Sequence, residues 1–415
     1  MYIINDKLIS WLVFSFSFFL SSQLGKHFFF PFSYLSGIRI DYLAPTIYLT
    51  DILSVPFMVI SFILLARQWK TIRSLIQKNL PLCLTFFLLI DINYFFSLSK
   101  EMWFYSLWKI LQWALVLYFF WYHRNKKSVY SAVLYGLLLG SFFQCMLAIR
   151  QLMLRHSLQG IWYWLGERSF AITTPGIAKA YLFGKEFLRP YGTFSHPNSM
   201  GGFYLFIYVF ILTQKKLTNQ ILKFALLTLS SFLVFLSFSR SVLVLYGVLN
   251  LFYFSRNMLQ CKVCLLAKLA VASVLLLIVL NITGDANSLN KRADFSQKSI
   301  RIIQQRPLSG TGIGSYLIAQ HAYPQKYSFF FEQPVHNIFL LTTSQLGIPL
   351  TILLLVLIIQ MIKKQLVHLS FLLPLCVLVG TGGIDHYWLT LQQNVLVSAV
   401  IFGILFLYEK KTART

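Results

Sequence analysis

Three arginines and two histidines stand where an otherwise apolar chain has little reason to carry them. The stretch Arg189-Pro190-Tyr191-Gly192-Thr193-Phe194-Ser195-His196-Pro197-Asn198 runs directly into a long apolar segment. Ser237-Phe238-Ser239-Arg240-Ser241 separates two further apolar runs, Arg292 opens a basic stretch over 291–306, and Pro334-Val335-His336-Asn337 precedes another run. An arginine's planar fork donates two charge-assisted hydrogen bonds to phosphate-type oxygens and stays ionised at a membrane surface. Imidazole, with an unperturbed pKa of about 6.5, takes up protons near working pH, and nearby guanidiniums favour its neutral, basic form. Arg189, Arg240 and Arg292 are therefore candidates for holding an anion and His336 for a general base. His196, Asn198 and Asn337 are candidate substrate contacts.

Each of these residues also has a plainer account. Pro197 and Asn198 fit a loop stop and a helix cap, which leaves Arg189 and His196 unexplained. Arg240 at a helix end fits a side chain snorkelling to the headgroups. Over 291–306 the pattern predicts a basic amphipathic helix with Phe295, Ile302 and Ile303 on one side, stopped by Pro307 and lying along the membrane surface. A solvated or headgroup-binding face accounts for Lys298, Arg301 and Arg306, while Arg292 is free to point into a site. The glycine-rich Pro307-Leu308-Ser309-Gly310-Thr311-Gly312-Ile313-Gly314 lacks the βαβ surroundings of a dinucleotide site and predicts a tight turn. His336 is placed at the start of a span, on the helical face of Thr343 and Gly347, with Gly347 and Pro349 allowing a kink.

The elements that must position these residues are membrane helices. The chain has 415 residues, 57% of them hydrophobic and 12% charged, with a mean hydropathy of +0.67. Helices apolar on all sides belong in lipid, so the expected fold is an all-α integral membrane protein. Apolar runs lie at 8–24, 47–66, 80–98, 103–122, 129–149, 199–214, 219–236, 241–255, 263–281, 336–358, 366–383 and 389–408. They give about twelve spans in a single polytopic domain over 1–415. Lys7 precedes the first run without a small-residue cleavage site, so that run reads as an uncleaved span.

The net charge of +24 comes from Lys and Arg spread between apolar runs, not from one basic face, which argues against nucleic acid. With the N-terminus cytoplasmic, every short basic loop faces inward: Arg67 to Lys78, Arg124 to Lys127, Lys215/Lys216, Arg256/Lys262, Lys363/Lys364 and the tail. Both termini are then cytoplasmic, and two long outer connections remain, 150–198 and 283–335, the second with the short amphipathic helix. Loops longer than about fifteen residues in a compact fold usually carry function, so the chemistry is expected on the outer face. Cys83, Cys145, Cys261, Cys264 and Cys376 lie in or beside apolar runs as small hydrophobes, and no second pair or nearby His completes a zinc site around Cys261 and Cys264.

The order R-P-Y-G-T-F-S-H-P-N, then S-R-S, then R-x14-P-L-S-G-T-G-I-G, then H-N-x9-G, across roughly residues 189–350, resembles the O-antigen ligase and polymerase superfamily. The resemblance implies an enzyme of the bacterial inner membrane with its active site on the periplasmic face. It takes a glycan from an undecaprenyl-diphosphate carrier and joins it to an acceptor hydroxyl, without nucleotide sugar, metal or other cofactor. His336 corresponds to the family's essential histidine and Arg189 and Arg292 to its essential arginines, with Arg240 a third candidate. One departure is plain: the ligase pattern H-N-x9-G-x-x-G has a second glycine where this chain has Leu350, which leaves subfamily and acceptor open.

Such a transfer needs charge stabilisation on the departing diphosphate and removal of a proton from the acceptor. The expected reaction is direct, inverting attack at the anomeric carbon. Metal-dependent versions would want paired acids, and the outer loops offer only the scattered Asp41, Glu167, Glu186, Asp285, Asp294 and Glu332 with no D-x-D. A polymerase of the same superfamily, whose acceptor is a second lipid-linked glycan, is the alternative. A flippase for lipid-linked glycans is a further one, although transporters place ionisable groups near the midplane, where this sequence has mainly Asp91 and Lys109. An inactive scaffold would not need Arg189, Arg292 and His336 together.

Overall fold

The computed structural model describes residues 5–182, 184–215, 217–258, 281, 287–324 and 332–406. Among them the chain is mainly helical. In order the helices are α1 (Asp6–Phe19), α2 (Leu49–Arg67), α3 (Trp69–Lys78), α4 (Leu80–Phe95), α5 (Lys100–His123), α6 (Lys127–Leu154), α7 (Pro197–Thr213), α8 (Gln220–Leu236) and α9 (Arg240–Met258). There follow α10 (Asn287–Gln305), α11 (Tyr316–His321), α12 (Ile338–Leu346), α13 (Ile348–Ile362), α14 (Leu369–Gly382), the single turn α15 (Tyr387–Thr390) and α16 (Gln392–Leu405). Every predicted apolar run falls on this series except 263–281, which, with Cys261 and Cys264, lies outside the described residues apart from Asn281. Leu49–Arg67 and Lys127–Leu154 are each long and apolar enough to cross a bilayer, and six of the remaining helices are apolar but shorter.

The centre of the molecule is α7, apolar all round and buried at every position except Asn198, as its sequence requires. Two glycines at its start set how closely neighbours approach. A Cβ on Gly201 would lie 2.6 Å from Ser237 Oγ, and one on Gly202 would lie 2.6 Å from the ring of Tyr387. The α8–α9 turn and the α14–α15 junction are thereby drawn onto the loop that begins α7. Lys109 does not stand alone in the membrane: its Nζ lies 2.7 Å from Asp51, which also accepts from Gln112 at 2.8 Å and Gln392 at 2.6 Å. That network satisfies a buried charge and pins α2, α5 and α16 together.

The connections at the far ends of the helices carry more structure than the sequence suggested. A further structured connection, between α1 and α2, pairs β1 (Gly25–His27) with β4 (Thr46–Tyr48) and β2 (Tyr34–Leu35) with β3 (Ile38–Arg39), both antiparallel. The first long loop begins after Leu154 and contains the hairpin of β5 (Lys179–Leu182) and β6 (Lys185–Leu188). In the second, the predicted amphipathic helix is present as α10, and its apolar side is turned against protein. Phe295 and Ile302 are buried with Val335 and Leu341, and Ser299 Oγ meets Ser344 Oγ at 2.7 Å, so α10 packs on α12. Lys298 is likewise no solvated cation: it is buried and ion-paired with Asp294 at 3.0 Å, one helical turn away.

The glycine-rich turn is where α10 and α12 are joined. Gly310, Gly312 and Gly314 all have positive φ. Thr311 N donates to Ser344 O at 2.9 Å, Gly312 N to Gln345 O at 3.0 Å and Ile348 N to Pro307 O at 2.7 Å. Asn93 adds side-chain bonds of 2.7 Å to Ser309 O and Gln345 O. The expected kink at Gly347 is a full break, with φ 78° and ψ 167° separating α12 from α13, a region essentially reserved for glycine. Leu350, where the ligase pattern has glycine, fills a core with Trp103, Ile313 and Leu346. A Cβ on Gly347 would meet Leu308 O at 2.5 Å. Gly347→Ala should therefore cost about 2–3 kcal/mol, seen as a lower thermal unfolding midpoint in detergent; an unchanged midpoint would show that the break is not needed.

Candidate active site

His336 sits outside the helix where the sequence reading placed it. Asn337 is the N-cap of α12, its Oδ1 accepting from Phe339 N and Leu340 N, while its Nδ2 donates to Gly383 O at 2.9 Å. Both ends of that amide are committed to backbone, so Asn337 ties the His336 loop to the end of α14. The His336 ring is half-buried, stacked at 3° and 6.0 Å on Phe295 of α10 and set edge-on to His386 at 5.2 Å. Its Nδ1 is fully covered and has no hydrogen-bond partner among the described residues.

Beside it stands an acid that the sequence reading passed over. Asp385 is buried between α14 and α15, with Oδ1 accepting from His386 N at 2.8 Å and Oδ2 from Asn198 Nδ2 at 3.0 Å. The signal was present in Gly382-Gly383-Ile384-Asp385-His386, two ionisable groups side by side between the apolar runs 366–383 and 389–408. His386 Nδ1 bonds Thr390 Oγ1 at 2.7 Å, and Tyr42 of the α1–α2 connection lies edge-on to His386 at 5.6 Å.

Asn198 does not cap α7; His196 does, its Nδ1 accepting from Asn198 N at 3.1 Å. That leaves the Asn198 side chain to bridge Asp385 and Arg189, whose Nη2 donates to Asn198 Oδ1 at 2.6 Å and whose Nε donates to Ser237 O at 3.0 Å. The turn-rich segment carrying Arg189 to His196 is held by buried amides of α6. Gln151 Oε1 accepts from Tyr191 N and Gly192 N, and Gln144 Oε1 from Thr193 N. Arg240 starts α9 with its side chain exposed, and its charge reaches Arg189. Arg292, in the second turn of α10, donates from Nη1 to Ile384 O at 3.1 Å, immediately before Asp385.

Electrostatically these groups form one unit. Burial lowers Arg189 to about 10, Tyr191 and Asp385 opposing and Arg292 and Arg240 reinforcing the shift. Burial also lowers His336 to about 3, with His386 and Arg292 adding to the effect and Asp385 opposing it. His196 falls to about 3 through burial, Arg189, His336 and Arg292, again against Asp385. An Nδ1 that accepts a backbone N–H is unprotonated, which agrees with a neutral His196. Burial alone would raise the Asp385 carboxyl, but positive charge around it, from Arg292 and from the histidines whenever they are protonated, holds it below the ordinary carboxylate range. Near neutral pH the site therefore combines ionised guanidiniums and carboxylate with neutral imidazoles.

His336, Asp385 and His386 have ligand-type atoms within 4.8 Å of one another, a set that by type and spacing could hold a cation. The field opposes it. Arg292 bears on all three, and Arg189 is bridged to Asp385 through one asparagine, so the surroundings favour an anion.

The depressed histidines carry a stability consequence. His196 and His336 bind protons in the unfolded chain as pH falls below about 6.5, but in the fold only near 3. Their contribution is complete at neutral pH and is lost as pH falls through that window. Between pH 7 and 5 each should cost about 2 kcal/mol. Unfolding followed from pH 8 to 5 should show this loss, and a flat profile would mean that the histidines titrate normally.

Residues 224–355 match the family described as O-antigen ligase. This match, over about a third of the chain, supports the likeness to the O-antigen ligase superfamily. No curated protein sequence matches the chain. The matched segment carries Arg240, Arg292 and His336, whereas Arg189, His196, Asn198 and Asp385 lie outside it and reach the site through the fold. The family is one of membrane enzymes that process glycans.

Proposed function

We propose that the chain is a metal-independent, inverting glycosyltransferase. It moves a glycan from an undecaprenyl-diphosphate carrier to an acceptor hydroxyl at the outer face of the bacterial cytoplasmic membrane, with both termini cytoplasmic. The observation that carries this reading is the geometry around His336: its covered Nδ1 has no partner among the described residues, Asp385 lies within 4.8 Å, and Arg189 and Arg292 are tied to Asn198 and Ile384 beside that acid. A base adjoins an anion site, which is what this reaction needs.

In the reaction the acceptor oxygen bonds to the anomeric carbon as the bond from that carbon to the diphosphate oxygen breaks. The acceptor proton passes to His336, and Asp385 stabilises the imidazolium as it forms. The electron pair of the breaking bond leaves with the diphosphate, whose charge is met by Arg292 and Arg189, with Arg240 at the entrance. Bound diphosphate also brings negative charge next to His336, which raises its basicity when the substrate is in place.

Purified protein given an undecaprenyl-diphosphate oligosaccharide and candidate acceptors should form product and release lipid diphosphate equally well in EDTA. Loss of turnover in EDTA, restored by magnesium or manganese, would overturn metal independence. A lipid-linked glycan as the acceptor consumed would identify a polymerase, a lipid A-core or other anchor a ligase. Movement of the lipid-linked glycan across vesicles with no turnover would identify a flippase.

A further inference from the structure

The basic connection between α2 and α4 is itself a helix, α3, and its ten residues have no buried member. At 100° per residue its apolar side chains, Trp69, Ile72, Leu75 and Ile76, fall within one arc, and Lys70, Arg73 and Lys78 fall on the opposite arc with Thr71, Ser74 and Gln77. Trp69 and Leu75 are 58% and 56% exposed, so among the described residues no protein surface covers most of the apolar arc. The axis turns by 89° between α3 and α4. If α4 runs through the bilayer, α3 lies along its plane.

The position is equally specific. α4 has 16 residues, a rise of about 24 Å, and its C-terminal end meets the glycine-rich turn beside the site, where Leu98 N donates to Thr311 O at 3.0 Å. α3 therefore sits at the opposite membrane boundary. Arg124 and Lys127 lie at that same end, because α5 starts beside the end of α4, where Lys100 Nζ donates to Phe95 O at 2.7 Å, and runs back to His123. From Arg67 to Lys78 the chain has cations and no acid. An exposed apolar stripe backed by unopposed cations matches the boundary between acyl chains and anionic headgroups.

We propose that α3 is an in-plane anchor that binds anionic phospholipid headgroups of the leaflet opposite the active site, with Trp69, Ile72, Leu75 and Ile76 in the acyl boundary and Lys70, Arg73 and Lys78 at the phosphates. Each such cation changes the preference for an anionic surface roughly fivefold, so the three together are worth roughly 100-fold.

The full chain, its five cysteines replaced by serine, is placed in nanodiscs of phosphatidylcholine and phosphatidylglycerol with a spin label at Leu75→Cys or Gln77→Cys. The label at 75 should collide with oxygen and be sheltered from a water-soluble nickel chelate, and the label at 77 should do the reverse. Equal exposure of both to nickel would mean a helix in water, and shelter of both a helix packed on protein; either overturns the proposal. In native mass spectrometry, Lys70→Gln/Arg73→Gln/Lys78→Gln should lose at least tenfold of its preference for phosphatidylglycerol over phosphatidylcholine. An unchanged preference would overturn the anionic assignment. Neither readout involves glycan transfer, so both stand or fall separately from the proposed activity.

Discussion

His336→Ala should lower turnover by about 10²–10⁴, the range expected for loss of a general base, while donor binding changes only a few-fold because the guanidiniums remain. Release of undecaprenyl diphosphate in single-turnover experiments measures the first, and donor retention on immobilised protein the second. Wild-type activity in the variant would remove His336 from the chemistry. The pH dependence is a second readout. Because the free enzyme holds His336 near 3, its basic form persists as pH falls from 8 to 5, so kcat/KM should show no acid limb near 6.5 from this group. An acid limb at 6.5 that disappears in His336→Ala would show that the ring is far more solvated than its packing against Phe295 and His386 implies.

Arg292→Ala should cost about 10²–10³ in turnover, the effect of removing one preorganised donor from developing negative charge. Arg292→Lys should recover only part of it, since an ammonium restores charge but not the two-pronged donor geometry. Arg292 is favoured over Arg189 as the main phosphate ligand by how each spends its donors. Arg189 is buried and gives Nε and Nη2 to Ser237 O and Asn198 Oδ1, whereas a single bond from Arg292, to Ile384 O, accounts for one of its five N–H groups. Arg189→Ala should then impair folding together with turnover, and Arg292→Ala turnover with an unchanged unfolding midpoint. The reverse pattern would exchange the two roles.

Apolar runs long enough for lipid predict helices directly, because burying a backbone in hydrocarbon leaves it no other hydrogen-bonding partners than its own. That one-dimensional constraint is why the described runs matched helices to within a few residues at most ends. The turn glycines were equally legible, since positive φ at Gly310, Gly312 and Gly314 is a demand on residue type that a sequence displays openly. Periodicity found α10 and its apolar side, but could not say whether protein or lipid covers that side. An amphipathic pattern is satisfied by either, and α12 provided the cover, taking Lys298 into the interior with Asp294.

The company each site residue keeps was decided only by tertiary structure. Asn198 meets Asp385 across 187 residues of chain, and Tyr42 reaches His386 from a connection that showed no chemical signature in its sequence. Such contacts follow from which helices pack together, through Gly201 against Ser237 and Gly202 against Tyr387, and no local pattern encodes that pairing. The sequence by itself determined a helical membrane chain with arginines and a histidine at helix ends. The fold decided that Asp385 stands among them, that His336 is kept neutral, and that Arg292 keeps more of its donors free than Arg189, because burial and proximity are properties of packed elements and not of residues in order.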